Sequence, residues 1–339
     1  MADGGTEADP PQIAQVALCA ADLARAVRRY IEGFGFADAG GRVLWGQRAA
    51  RTQAIGEDTT GCMWWLVGHQ DYMQLELFHH TDPPQGRQRE GWQPNDHGWV
   101  RWGVAVPDFD RAMAALATEG VRTITDPVVV DGRRRVCFTD PDFAIVVEVM
   151  EADPPGDAGA AGAAGAGGGK ALPGVTYAAL SVPDLEAARA FFGGALELEE
   201  VAGLHEPSME RLWGLDGADR EMVTFRGGDV LLEVVEYRDP PGRRIAEDRL
   251  LSDQGFMNIA IGYRTRPALE RALDRATAQG WTMNVPLFDR PVAATYLSGP
   301  DGVSLEMLSM PRELYEPYGF VARPALPPEV PMPTAGRPS

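Results

Sequence analysis

The chain contains only three cysteines, Cys19, Cys62 and Cys137, among 339 residues, and none forms a CxxC pair. An odd number without that spacing excludes a disulfide framework and a cysteine-based zinc site. It leaves buried free thiols in a reducing compartment. Basic residues are also short: 31 Lys plus Arg face 49 Asp plus Glu, for a net charge of −18. That field repels phosphate backbones and anionic lipid, so nucleic acid and membrane surfaces are excluded as partners. No apolar run reaches membrane-spanning length, and the acidic start Met1–Asp9 lacks the basic and apolar regions of a signal peptide. A cytoplasmic protein is expected. Five histidines offer no HxH, HxxxH or HExxH spacing, so no metal site is strongly signalled. There is no GxGxxG after a strand, no Walker motif and no GxSxG, which removes nucleotide cofactors and serine hydrolysis.

What is present is a core and a repeat. Hydrophobic residues make up 45% of the chain, typical of a globular protein. Gln74–Pro84, with Leu75, Glu76, Asp82 and Pro83, aligns with Leu231–Pro241, with Leu232, Glu233, Asp239 and Pro240. The same register carries Asp96–Arg101 onto Asp253–Asn258. Such self-similarity fixes architecture before single residues are read.

Residues 156–169 are almost all glycine and alanine and carry little to bury, which predicts a linker. The expected segments are a tail over 1–11, a first domain over 12–152, a linker over 153–172, a second domain over 173–312 and a proline-rich tail over 313–339. Each half divides again. Alternation over Ile13–Ala20, then Asp22 as an N-cap before Leu23, Val27 and Tyr30 at helical spacing, gives strand then helix. Strand-like runs follow to Phe78, so the first quarter reads βαβββ. The second has a strand over Val100–Val106 and a helix over Phe109–Ala117. The third has a strand over Tyr177–Val182, then Asp184 capping a helix over Leu185–Phe192. The fourth has a strand over Met257–Tyr263 and a helix from Pro267 to Gln279, stopped by Gly280.

Four βαβββ units in two pairs resemble the vicinal oxygen chelate superfamily, which holds glyoxalase I, extradiol dioxygenases and bleomycin-binding proteins. The likeness rests on Val182-Pro-Asp-Leu185, Val106-Pro-Asp-Phe109, Leu75-Glu-Leu-Phe-His-His80 and Gly299-Pro-Asp-Gly-Val-Ser-Leu-Glu306, with Asp140–Glu148 a poorer copy. The resemblance implies an α+β fold: four βαβββ modules paired into two glyoxalase-like domains with U-shaped mixed sheets. It also implies inward ligand positions. In the first strands these are Gln15, Arg101, Tyr177 and Asn258; the late glutamates are Glu76, Glu148, Glu233 and Glu306. No histidine stands at the first-strand positions, so the family's usual metal site is altered or absent.

With each half forming one domain, Gln15, Glu76, Arg101 and Glu148 share a first pocket. Arginine cannot ligate a cation, and a closed salt-bridge cluster is the expectation there. The alternative is an anion clamp that binds substrate, with His97 nearby. Tyr177, Glu233, Asn258 and Glu306 then share a second pocket with no basic residue. Its two carboxylates need either a hard divalent cation or a shared proton. Glu306 or Glu233 serves as base, and Tyr177 and Asn258 as oxyanion partners. His79 or His80 can reach the cavity rim by alternation, while His69 and His205 sit in loop-like context. Trp64, Trp65, Trp99 and Trp102 read as core.

The leading expectation is an enzyme of this type acting on a small oxygenated aromatic or carbonyl compound. Its chemistry is proton transfer, as in an isomerase, epimerase or lyase. The alternatives are a non-catalytic ligand-binding protein of the bleomycin-resistance kind and a diverged extradiol dioxygenase. No organic cofactor is expected, a divalent metal in the second domain remains open, and the protein is a monomer or homodimer.

Overall fold

The computed structural model describes residues 10–153, 171–287 and 291–323. The predicted Gly/Ala linker falls almost wholly outside these residues. The first quarter comprises β1 (Gln12–Cys19), α1 (Leu23–Arg28, continued by a π-helical turn over Arg29–Phe34), β2 (Ala37–Trp45), α2 (Gln47–Gln53), β3 (Thr60–Val67) and β4 (Gln74–Asp82). The second comprises β5 (Gly98–Val106), α3 (Phe109–Thr118), β6 (Val128–Val130), β7 (Arg133–Thr139) and β8 (Val146–Glu151). The third comprises β9 (Gly174–Ser181), α4 (Leu185–Arg189, with a π-helical turn over Ala190–Ala195), β10 (Glu199–Val201), a 3-10 helix over Pro207–Trp213, β11 (Asp219–Gly227) and β12 (Val230–Asp239). The fourth comprises β13 (Gly255–Tyr263), α5 (Arg266–Ala278), β14 (Thr282–Met283), β15 (Ala293–Ser298) and β16 (Ser304–Ser309).

The helices start where short acidic side chains can take up orphan amides. Asp22, Asp108 and Asp184 each accept from the backbone N–H three residues on, at 2.9 Å. Helix α5 instead has a proline in its first turn, where no amide hydrogen is needed.

The strands form two eight-stranded mixed sheets. One runs β14-β15-β16-β13-β1-β4-β3-β2 and the other β10-β11-β12-β9-β5-β8-β7-β6. The first therefore joins quarters one and four, and the second joins quarters two and three. This corrects the expectation that each half closes its own sheet. Four equivalent units carry the same apolar alternation, so the sequence does not say which first strands meet. The antiparallel pairs are β1 with β13 and β5 with β9. Quarters one and two meet through helices instead. Tyr30 stacks on Trp102 with ring centres 5.6 Å apart. Buried Arg29 donates to Asp140 at 2.9 Å and to Asp142 at 2.8 Å.

One face of each sheet packs on the helices in a common core that includes Val16, Leu75, Phe109, Val147, Leu232 and Leu269. The opposite face is the inner one. In the β1 sheet, part of that face is covered by the chain after β16. Tyr315 stacks on Tyr72 with ring centres 5.0 Å apart, and both join Ala14, Ala260 and Phe320 in an apolar cluster. Tyr315 and Phe320, in the first part of the expected proline-rich tail, are thus packed against the sheet.

The topology makes a prediction about the halves. Expressed alone, residues 1–153 or 171–339 would expose the open edges of two central strands. Neither half should be a folded monomer by sedimentation and circular dichroism, and mixing the two should restore the native signal. Folded, monomeric halves would contradict the observed pairing.

Candidate functional site

Register places the inward residues in two quartets. In the β1 sheet, Ala17 pairs with Glu76 on one side and Asn258 on the other. One level away, Ala260 pairs with Gln15 and Glu306. In the β9 sheet, Ala179 pairs with Arg101 and Glu233, and Gly103 with Tyr177 and Glu148. The eight predicted positions all face inward, but in different company from that expected. Gln15 and Glu76 meet Asn258 and Glu306; Arg101 and Glu148 meet Tyr177 and Glu233. The predicted second pocket is therefore divided between the sheets.

The β9-sheet quartet is closed. Its four side chains are fully buried. His205, missed by sequence reasoning, sits between the two glutamates. Its Nδ1 lies 2.8 Å from Glu233 Oε1 and its Nε2 2.8 Å from Glu148 Oε2. Tyr177 donates to Glu148 at 2.8 Å, and Arg101 donates to Glu233 at 3.4 Å beneath the Trp213 ring. Gly103 makes this possible, since a Cβ there would stand 2.3 Å from the Tyr177 ring. Burial disfavours a charged His205, but Glu233 and Glu148 outweigh it and push the imidazole up to about 9. Burial likewise raises both glutamates, and His205 more than reverses this, holding each below the ordinary carboxylate value. Glu233 and Tyr177 thus lose their predicted roles as base and oxyanion partner: Glu233 pairs with Arg101 and His205, Tyr177 donates to Glu148, and both are fully buried. Arg101 sits in a closed cluster with Glu233, and not Glu76, as its carboxylate partner.

The β1-sheet quartet has no such cation. No salt bridge to Glu76 or Glu306 forms among the described residues. Each glutamate receives one hydrogen bond from the residue directly opposite on its antiparallel neighbour, where side chains share a face. Trp65 Nε1 donates to Glu76 Oε1 at 2.9 Å, and Tyr296 donates to Glu306. The Tyr296 oxygen in turn accepts from Asn258 and Gln53. Gln53 Oε1 lies 3.0 Å from buried His80 Nε2. Burial raises Glu76 to about 7. Burial, then the nearby Glu76 charge, raises Glu306 well above the ordinary value.

Two further oxygens are left over. Gln15 Oε1 and Asn258 Oδ1 are buried and accept nothing. The quartet therefore presents two carboxylates and two amide oxygens with no cation of the chain to balance them, a set that suits a hard divalent cation rather than a soft one. Among the described residues no group of three or more His, Cys, Asp or Glu forms an alternative metal centre.

The remaining expectations resolve simply. His97 is half-buried and lines a separate cavity, in contact with neither quartet. His80 rather than His79 turns to the inner face, and its Nε2 bonds Gln53. Gln53 lies on α2 and His205 beside the 3-10 helix, both in segments that interrupt the βαβββ pattern. Periodicity could not find them. Trp65 and Tyr296 were findable in principle, as the residues opposite the two late glutamates, but only with the hairpin register known.

The sequence profile of the glyoxalase/bleomycin resistance protein/dioxygenase superfamily matches residues 12–149 and 174–307. The chain belongs to this superfamily. Each match covers two βαβββ modules of a glyoxalase-like repeat, as the resemblance implied. Among solved structures, glyoxalase I from Zea mays is similar at 15% identity, over 89% of this chain and 93% of that one, with a TM-score of 0.59. A putative dioxygenase from Bacillus subtilis subsp. subtilis str. 168 is similar at 13% identity, over 92% and 95%, with a TM-score of 0.59. At such identities the likeness concerns the glyoxalase-like fold alone. No curated protein is a match. Among the described residues, no helix is long and apolar enough to cross a membrane.

The two quartets should titrate in opposite senses. Glu76 is raised in the folded state, so its stabilising contribution is present below its ordinary value and lost as pH rises through about 7. In metal-stripped protein, Glu76→Gln should remove that loss and raise the melting temperature at pH 8 relative to wild type. His205 is raised to about 9, so its contribution is lost only above that pH. Glu148 and Glu233 are lowered, so theirs is lost in acid. His205→Gln should cost about 3–5 kcal/mol at neutral pH by urea denaturation, the usual result of breaking a buried ion pair. A cost below about 1 kcal/mol would show that the cluster is not the structural centre described.

Proposed function

We propose that the protein is an enzyme of the vicinal oxygen chelate type whose active site is the β1-sheet quartet. It catalyses proton transfer next to the carbonyl of a small oxygenated compound, as an isomerase, epimerase or lyase. The observation that carries this reading is the uncompensated set of oxygens at Gln15, Glu76, Asn258 and Glu306. A buried cluster of that kind is costly to keep without a ligand to balance it. The matching quartet, filled by Arg101 and His205, lacks that feature.

Gln15, Glu76, Asn258 and Glu306 would hold a hard divalent cation. Bound there, the cation supplies positive charge against the oxygen of a polarised carbonyl. The chain's own groups divide the remaining work. Glu76 is buried and fixed by Trp65, so it orients and holds. Glu306 is only partly buried and is the group that takes the proton from carbon and returns it. Tyr296, held by Asn258 and Gln53, aims that carboxylate.

The absence of histidine from both quartets supports a second reading, a binding protein without turnover. One experiment separates the two. Solvent deuterium incorporation into a panel of 2-oxo acids and hydroxyketones, followed by proton NMR with added Mg²⁺ or Mn²⁺, should be catalytic for wild type. Glu306→Gln should slow it by about 100-fold or more, the range for loss of a general base. Glu233→Gln, if it folds, should exchange at the wild-type rate per folded molecule. Saturable binding of a panel member without exchange would favour the binding protein, and native exchange by Glu306→Gln would remove Glu306 from the chemistry.

A further inference from the structure

A cavity of about 430 Å³ opens between two loops that are copies of each other, residues 83–97 and 240–254. The copies lock together by exchanged contacts. Gly86 N donates to Asp253 at 3.0 Å, and its counterpart Arg243 N donates to Asp96 at 3.2 Å. Likewise Gln254 N donates to Gly86 O and His97 N to Arg243 O, each at 2.9 Å. The repeat breaks at one informative place. Trp92 corresponds to Arg249. Trp92 packs against Val100, Met150 and Tyr177, over the closed quartet. Both residues line the cavity, Arg249 on the side of the β1-sheet quartet.

The charges around Arg249 are already committed elsewhere. Both oxygens of Asp253 accept backbone N–H groups, from Gly86 and Leu250. Asp96 is held by Arg243 at 2.6 Å and 2.8 Å. Arg89 donates to the Arg244 carbonyl at 2.9 Å and lies 3.9 Å from Asp96. Asp248 and Arg87 are exposed at the rim. Arg249 itself donates to Gln88 at 3.1 Å and forms no salt bridge among the described residues. A guanidinium has five donors in a fixed fork, so most of its capacity is unspent. The rest of the wall is mixed, and Trp99, Phe256 and Met257 supply its apolar part.

The inner wall of the cavity is the outer wall of the quartet. Met257 packs with Ala17, Cys19, Phe78 and Tyr296, and Leu251 packs on the same cluster. Ser304, another lining residue, accepts from Asn258 at 3.4 Å.

We propose that this cavity binds a small aromatic carboxylate, with Arg249 pairing the carboxylate group and Trp99 and Phe256 walling the ring. A guanidinium suits a planar carboxylate because two parallel N–H groups can meet both oxygens. The volume lies within the range of small-molecule sites. The inference rests on the proposed site at Glu306 only in naming the substrate class; the pocket stands on its own geometry. A ligand held here places its far end against Met257, a flexible side chain able to yield toward Asn258 and Glu306.

The test is calorimetric titration of the full chain with phenylacetate and benzoate, beside their neutral counterparts phenylacetamide and benzamide. The carboxylates should bind saturably and the amides at least about tenfold more weakly. Arg249→Met should weaken carboxylate binding by about 10- to 100-fold, as expected for a lost charge-assisted pair. No saturable binding of either carboxylate, equal binding of the amides, or unchanged affinity in folded Arg249→Met would each overturn the proposal. The amide comparison needs no variant, so it decides even if Arg249→Met fails to fold. Carboxylate binding without any deuterium exchange would leave the pocket and remove the proposed reaction; exchange without carboxylate binding would do the reverse.

Discussion

Two glutamates facing each other across the central strands of a curved sheet must have positive charge or protons between them. That constraint recurs twice here, and the two sheets meet it differently. Around β9, Arg101 and His205 supply the charge from within the chain, and aromatic rings seal the cluster. Around β1, the chain supplies two indirect donors, Trp65 and Tyr296, and nothing positive. One copy of the unit has become a structural centre and the other has kept an unmet electrostatic demand.

This division depends on how the quarters pair. Because β1 meets β13 and β5 meets β9, each sheet draws one glutamate from each half of the chain. A duplicated two-module chain could then let one sheet diverge toward stability while the other retained its oxygen ligands. Small floor residues permit both outcomes. Ala17 and Ala260 keep the first floor small, whereas Gly103 admits the Tyr177 ring that closes the second. The loops above follow the same logic: Trp92 packs over the filled quartet, and Arg249 stands beside the unfilled one.

Much of this was legible in the sequence. The repeat, the βαβββ order and two of the three aspartate caps follow from period and turn chemistry, and the eight inward positions from the family resemblance. The pairing of the quarters was not, because the strands that choose partners carry the same alternation. That one ambiguity misassigned Glu233 and Tyr177 to a pocket with Glu306. Gln53 and His205 were invisible for another reason. They enter from α2 and from the chain before the 3-10 helix, local insertions whose position over the sheet depends on tertiary packing. The packing of Tyr315 was not legible because a proline-rich composition hides a few well-placed aromatic residues.

The central claim is that only one quartet lacks internal charge compensation. The most direct measurement is carboxyl-carbon NMR of metal-stripped protein labelled with ¹³C-glutamate, titrated from pH 4 to 10. Glu76→Gln, Glu306→Gln, Glu148→Gln and Glu233→Gln spectra would assign the buried resonances. The account predicts that Glu76 and Glu306 titrate as a pair at or above neutrality, while Glu148 and Glu233 stay ionised throughout the neutral range. Ionised Glu76 and Glu306 at pH 5 without metal, or a protonated Glu148 or Glu233 at pH 7, would contradict it.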